Sequence, residues 1–221
     1  MENIDNNSLM SIQQRYEEWK VWHMPEMTKR QFYDYMEYYA KAYMYQRGHV
    51  SDFIIDDNNR ECFTNMYYYI TNNPRGKWNP DKGVFLGGKV GAGKTLLMRS
   101  FCKLLEEISG YVIEMIPARQ LARKIIENGI ESYLKRPLFI DELGRENLEE
   151  NYYGRIIRPF EELISYRYEY GARIFITSNF KPERLGLGYD DQGKKIGYGQ
   201  YIYDRLKEAC TFDVLPGESR R

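Results

Sequence analysis

Eight consecutive residues, Gly88-Lys89-Val90-Gly91-Ala92-Gly93-Lys94-Thr95, limit what this chain can fold into more than any other stretch. They fit the pattern G-x-x-x-x-G-K-[ST] without departure. A triphosphate is held by backbone N–H groups converging from a tight loop, and glycines let that loop turn and approach the ligand closely. The helix that follows turns its positive amino end toward the phosphates. Lys94 adds a cation for the β and γ phosphates, and the Thr95 hydroxyl is a hard oxygen suited to Mg²⁺. The flanks agree: Gly83–Gly88 (GVFLGG) reads as a short buried strand and Lys94–Ser109 as an amphipathic helix. The predicted nucleotide site therefore runs from Gly88 through Lys89, Val90, Gly91, Ala92, Gly93, Lys94 and Thr95 to Leu96, with ATP and Mg²⁺ as its ligands. The plainer alternative is a glycine-rich turn carrying an exposed lysine.

A loop of this kind needs a sheet behind it, and the remaining pattern supplies one. Tyr111–Met115, Pro137–Asp141, Ala172–Ser178 and Thr211–Leu215 read as strands, alternating with helices at Pro117–Asn128, Tyr152–Tyr170 and Tyr198–Ala209. Such alternation predicts an α/β fold with a mainly parallel sheet and helices on both faces. Ligands of such sheets bind at the carboxyl ends of the strands. The amino-terminal part differs. Residues 10–47 read as two helices broken at Pro25, one bearing Tyr16, Trp19 and Trp22 or His23. The other carries Phe32, Tyr35, Met36, Tyr39 and Tyr43 on one face behind a Thr28–Gln31 capping pattern. Residues 58–71 suggest another helix, and the turn-rich Asn72–Pro80 marks a boundary. The expected division is 1–50 as a helical, aromatic-rich partner-binding module, 51–74 as a connector and 75–221 as the nucleotide-binding domain. Tyrosine and tryptophan at helical spacing serve packing as readily as partner binding.

Three further segments could carry chemistry. Leu138-Phe139-Ile140-Asp141-Glu142 is a buried strand ending in two carboxylates. Asp141 suits the Mg²⁺ ion, and Glu142 suits orienting and polarising an attacking water. Ile174-Phe175-Ile176-Thr177-Ser178-Asn179 ends in small polar residues. The Asn179 carboxamide could contact the γ-phosphate or that water, or simply begin a turn. In Tyr201-Ile202-Tyr203-Asp204-Arg205-Leu206, Arg205 could serve a neighbouring subunit's ATP. It could equally be a surface arginine paired with Asp204 or Glu208.

Composition narrows the function classes. Lys+Arg and Asp+Glu number 32 each, so bulk charge does not coat nucleic acid. Mean hydropathy is −0.67, and no apolar run approaches a membrane span. The segment MENIDNNSLM has no signal-peptide pattern, so a cytoplasmic protein is expected. Cys62, Cys102 and Cys210 are too few and too scattered for a disulfide scaffold or a four-thiolate zinc site.

Taken together and in this order, GVFLGGKVGAGKTLLM, PLFIDELG, ARIFITSNF and YIYDRL resemble the AAA+ ATPases. More narrowly they resemble the DnaC/DnaI-type replicative-helicase loaders and their IstB-type relatives. The resemblance covers about 75–221. It implies a three-layer P-loop NTPase with a five-stranded AAA+ core. It implies Lys94, Asp141, Glu142, Asn179 and Arg205 as the catalytic set, with Asn179 the polar sensor and Arg205 an arginine finger acting on a neighbour. It further implies a replicative helicase as partner, single-stranded DNA as a second ligand and side-by-side self-association. With Arg221 as the last residue read, the usual helical lid, which loaders often lack, is not expected, and the resemblance assigns no role to Arg220 and Arg221. Loaders carry a DNA-contacting insertion before the Asp141 strand. Here that segment is short, and Arg119, Arg123, Lys124, Lys135 and Arg136 are diluted by Glu127 and Glu131. Alternatives are an IstB-like transposition helper, a small-molecule kinase, and a nucleotide-gated binding module with little turnover.

Overall fold

The computed structural model describes residues 22–219. The expected helix bearing Tyr16 and Trp19 lies almost wholly outside the described residues, as do Arg220 and Arg221.

Helix α1 (Lys29–Gln46) begins where the capping pattern places it: the Thr28 hydroxyl accepts from the Gln31 N–H, and the Gln31 side chain accepts from the Thr28 N–H. Helix α2 (Arg60–Ile70) follows. Then come β1 (Gly83–Gly88), α3 (Lys94–Ser109), β2 (Glu114–Pro117), α4 (Ala118–Asn128) and β3 (Leu138–Leu143). The chain continues through β4 (Glu150–Tyr152), β5 (Arg155–Ile157), α5 (Pro159–Glu169), β6 (Ile174–Ser178), the single-turn α6 (Pro182–Leu185), α7 (Gln200–Ala209) and β7 (Cys210–Leu215).

Five strands form one sheet in the order β2-β3-β6-β1-β7, and every pairing is parallel. The central strands are buried on both faces, which is why they read as unbroken apolar runs. Successive side chains leave a strand on opposite sides. Val84 and Leu86 pack with Leu97, Phe101 and Met98 of α3, while Phe85 packs with residues of α4, α5 and α7 on the other side. Two apolar layers therefore sandwich the sheet. The strand that leads into the phosphate loop lies between β6 and the edge strand β7, so the loop emerges at the carboxyl edge one strand in from that side.

The structure departs from the sequence reading at two places. The long helix expected over Tyr152–Tyr170 is instead an antiparallel hairpin, β4 with β5, followed by α5. Tyr153 and Gly154 turn the chain at φ +51° and +79°, and Pro159 keeps Arg158 out of the helical region. The second strand begins at Glu114 rather than Tyr111. One buried cluster includes residues from both sides of positions 50 and 74. Phe32, Met36 and Ala40 of α1 and Met66, Tyr69 and Ile70 of α2 are buried in the same cluster as Phe101, Phe139 and Phe175. The aromatic stripe of α1 has its apolar side closed against α3, leaving Tyr35, Tyr38 and Tyr45 exposed. All three cysteines are buried and unpaired, and burial raises their thiol pKa.

Candidate nucleotide-binding site

The phosphate loop joins β1 to α3 and takes positive φ at Gly88, Gly91 and Gly93. Gly88 has φ +146°, and a Cβ there would stand 2.5 Å from the Leu215 carbonyl oxygen, a backbone atom that cannot move aside. Gly91 has φ +82° and lies against Ser219, while Glu218 pairs with Lys89, so the segment after β7 runs beside the loop.

Lys94 is buried at the first position of α3. Its ammonium donates to the carbonyls of Gly88 and Lys89 and to Asn179 Oδ1, each at 2.8 Å. The sensor residue expected from β6 is therefore in direct contact with the phosphate-loop lysine. The other Asn179 side-chain atom, Nδ2, is buried with no hydrogen-bond partner among the described residues. A buried, undirected donor beside an ammonium is the arrangement an anionic oxygen would complete.

The Thr95 hydroxyl donates to Asp141 Oδ1 at 2.8 Å, which joins the phosphate loop to the end of β3. A hydroxyl and a carboxylate converging in this way form a hard-oxygen pair that fits Mg²⁺, an ion that prefers few protein ligands and keeps the rest for water and phosphate. Glu142 follows with φ +59°, a left-handed conformation rare outside glycine. Its carboxylate is partly exposed and stands 3.9 Å from the Arg145 guanidinium.

Sequence reasoning missed two groups here. Thr177, fully buried in β6, donates to Asp141 Oδ1 at 2.5 Å and accepts from the Glu142 N–H at 3.0 Å. It lay within the quoted strand, but threonine is ordinary strand composition and gave no separate signal. Glu146 is buried just beyond β3, where its carboxylate meets the Tyr198 hydroxyl and accepts from the Gly144 N–H. Burial pushes its pKa up to about 7, against the lowering pull of backbone N–H groups and Arg119. No sequence pattern announces a carboxyl buried by a loop packing on itself.

Arg205 stands apart from this cluster. Its side chain is 15% exposed, stacks 3.8 Å from the Tyr201 ring centroid and 5.3 Å from that of Tyr168, and lies 3.8 Å from Glu169. Neither carboxylate expected as its surface partner holds it. Asp204 pairs with Lys207, and Glu208 accepts from Tyr168. The basic residues of the fourth helix, Arg119 and Arg123, line an open groove of about 530 Å³ between α4 and the β4–β5 hairpin, together with Glu127, Glu146 and Glu150.

The five-stranded parallel sheet of this order, with a phosphate-loop pattern after β1 and carboxylates at the end of β3, shares its α/β fold with the DnaC and DnaI structures. The particular resemblance is to the DnaC/DnaI-type helicase loaders. Over 175 residues the chain is 26% identical to the replicative helicase loader DnaI of Bacillus subtilis (strain 168), covering 71% of this chain and 53% of that one. The chain thus spans about half the length of that curated relative. The crystal structure of DnaI superposes with a TM-score of 0.56 at 23% identity, covering 76% of this chain and 87% of the other. The DnaC helicase loader gives 0.53 at 20%, covering 74% and 93%. DnaA from Aquifex aeolicus bound to AMPPCP gives 0.51 at 19%, covering 75% and 48%. At these identities the structural likenesses speak for the fold. No family model matches the chain.

Proposed function

We propose that this chain is an ATP-dependent loader of a replicative DNA helicase that binds and hydrolyses ATP. The observation that carries the reading is the convergence of Lys94, Thr95, Asp141 and Asn179 from three neighbouring strand ends through bonds of 2.8 Å. In the proposed reaction Lys94 and the loop N–H groups hold the β and γ phosphates, and Asn179 turns its amide toward the γ-phosphoryl oxygen. Thr95 and Asp141 hold Mg²⁺, which would supply charge neutralisation at the phosphates. Glu142 accepts the proton of the attacking water; its carboxylate is partly exposed and only loosely paired, 3.9 Å from Arg145. The similarity to DnaI supports a helicase as the client. Tyr35, Tyr38 and Tyr45, left exposed on α1, offer it a surface within residues 1–50. Single-stranded DNA as a second ligand accords with the fold shared with DnaA, which has been solved with AMPPCP and single-stranded DNA. Arg205 is proposed to complete a neighbour's site in a side-by-side assembly. No described helix is long and apolar enough to cross a membrane.

Glu142→Gln tests the reading. The substitution keeps the shape and removes the base, so ATP binding should persist while hydrolysis stops. Lys94→Ala should instead abolish binding. Wild-type turnover by Glu142→Gln at unchanged affinity would remove Glu142 from the mechanism.

A further inference from the structure

The two carboxylates at the end of β3 owe their placement to an irregularity in the sheet. Ile140 pairs with Ile176, and the next pair is Leu143 with Ser178. Two residues, Asp141 and Glu142, thus stand opposite the single residue Thr177. A bulge of this kind bends the strand and re-aims its side chains, and it leaves an N–H without its ladder acceptor. Here that N–H belongs to Glu142, whose φ of +59° is the mark of the distortion.

Thr177 supplies what the ladder lost. Its oxygen accepts from the Glu142 N–H at 3.0 Å, and its proton goes to Asp141 Oδ1 at 2.5 Å. The two bonds fix the hydroxyl's orientation, because a hydroxyl has one proton to give and that proton is on the Asp141 side. Asp141 Oδ1 also receives the Thr95 hydroxyl. Thr177 is fully buried, so bulk water has no access to replace the hydroxyl. One side chain therefore holds the direction of the carboxylate next to Thr95 and the backbone that presents its neighbour.

We propose that Thr177 is a positioning residue for hydrolysis: its hydroxyl stabilises the bulge that aims Asp141 and Glu142, without itself touching the nucleotide. The proposal rests on the reading of the site as an ATPase. It predicts a split between binding and turnover. Lys94, the phosphate loop and Asn179 are held by other bonds, so the affinity for ATP without Mg²⁺ should be nearly independent of Thr177. Glu142 is held through its own N–H, so turnover should not be.

The test measures the Kd of ATP with Mg²⁺ chelated, the steady-state hydrolysis rate with ATP and Mg²⁺, and the melting temperature for the full chain and for Thr177→Val and Thr177→Ser. Valine keeps the volume and removes both bonds. It should lower kcat on the order of 10- to 100-fold while Kd stays within about 3-fold. Serine keeps the hydroxyl and should restore kcat to within about 3-fold of wild type, even if its melting temperature is the lower of the two. If valine does not yield folded protein, Thr177→Cys, close in volume but a weak hydrogen-bonding group, takes its place with the same split expected. Wild-type kcat in the valine variant, equal losses of kcat and affinity, or no rescue by serine would overturn the proposal. A wild-type chain that binds ATP and turns none over would overturn the ATPase reading instead, and this proposal with it.

Discussion

If α1 is part of the nucleotide-binding domain rather than a tethered module, truncating its buried face should destabilise the whole molecule. Phe32 is the residue to cut. Its ring is buried and lies 4.8 Å from Phe63 and 5.6 Å from Tyr67 between ring centroids, so it ties α1 to α2 within the cluster that includes α3. A buried Phe→Ala costs about 3–5 kcal/mol, hydrophobic transfer and residual cavity together. In a domain of this size each kcal/mol lowers Tm by about 2–4 °C, so Phe32→Ala should melt roughly 6–20 °C below wild type. The loss should come in one transition, followed both by far-ultraviolet circular dichroism and by release of a bound fluorescent nucleotide. Tyr38→Ala is the matched control. Tyr38 is 67% exposed on the same helix, and its loss should move Tm by no more than about 2 °C. Two transitions, with nucleotide release unmoved by Phe32→Ala, would refute the shared core and restore a separable amino-terminal module.

Glu146 predicts a pH effect. Its folded pKa of about 7 lies above the usual 4.5, so the native state holds a proton that the unfolded state has released between those values. Stability from this group is complete below about pH 4.5 and is lost as pH rises through 7. The difference is about 3 kcal/mol. Thermal melts from pH 5 to 8 should show Glu146→Gln gaining on wild type as pH rises, and parallel curves would discredit the assignment. For Arg205, alanine should cut hydrolysis on the order of 10³-fold while ATP still binds. Mixing Arg205→Ala with Glu142→Gln subunits should return part of the activity, because each supplies what the other's site lacks. No recovery in assemblies shown to be mixed would place Arg205 in its own subunit's structure, against Tyr201 and Tyr168.

Sequence showed the sheet well because the strands beside the phosphate loop are buried on both faces. VFL, LFI and IFI are continuous apolar runs, and the helices between them have a different period. It showed the hairpin badly. NYYGRII carries aromatic and aliphatic residues at spacings that suit a helix, and only the φ values at Tyr153 and Gly154 decide otherwise. The four residues that meet at 2.8 Å were all legible, since each sits at a strand end or on the loop itself. Thr177 was not, because the bulge that gives it a task exists only once β3 and β6 are paired. The stripe on α1 showed that one side of the helix is apolar. That its partner is α3 was invisible, because periodicity states which residues share a face and says nothing of what covers it.

The three bonds of the Lys94 ammonium bear on which guests the loop will admit. Every proton of that group already has an oxygen of its own chain to meet, so a ligand oxygen arriving there enters an exchange and is worth only the difference between itself and the oxygen it displaces. Two of the present acceptors are backbone carbonyls fixed by the loop, and the third is an amide on a side chain that can turn. Asn179 is therefore the acceptor that yields. Trading its neutral oxygen for a phosphoryl oxygen adds a full charge–charge attraction in a buried setting, whereas trading it for a hydroxyl or carbonyl of an uncharged guest gains nothing. In the proposed site the lysine would therefore favour charged guests over nucleosides without any steric barrier between them. A polyphosphate bound there would take the place of the Asn179 oxygen on the ammonium, and so the side chain at the tip of β6 would be the part of the strand that answers to a filled loop.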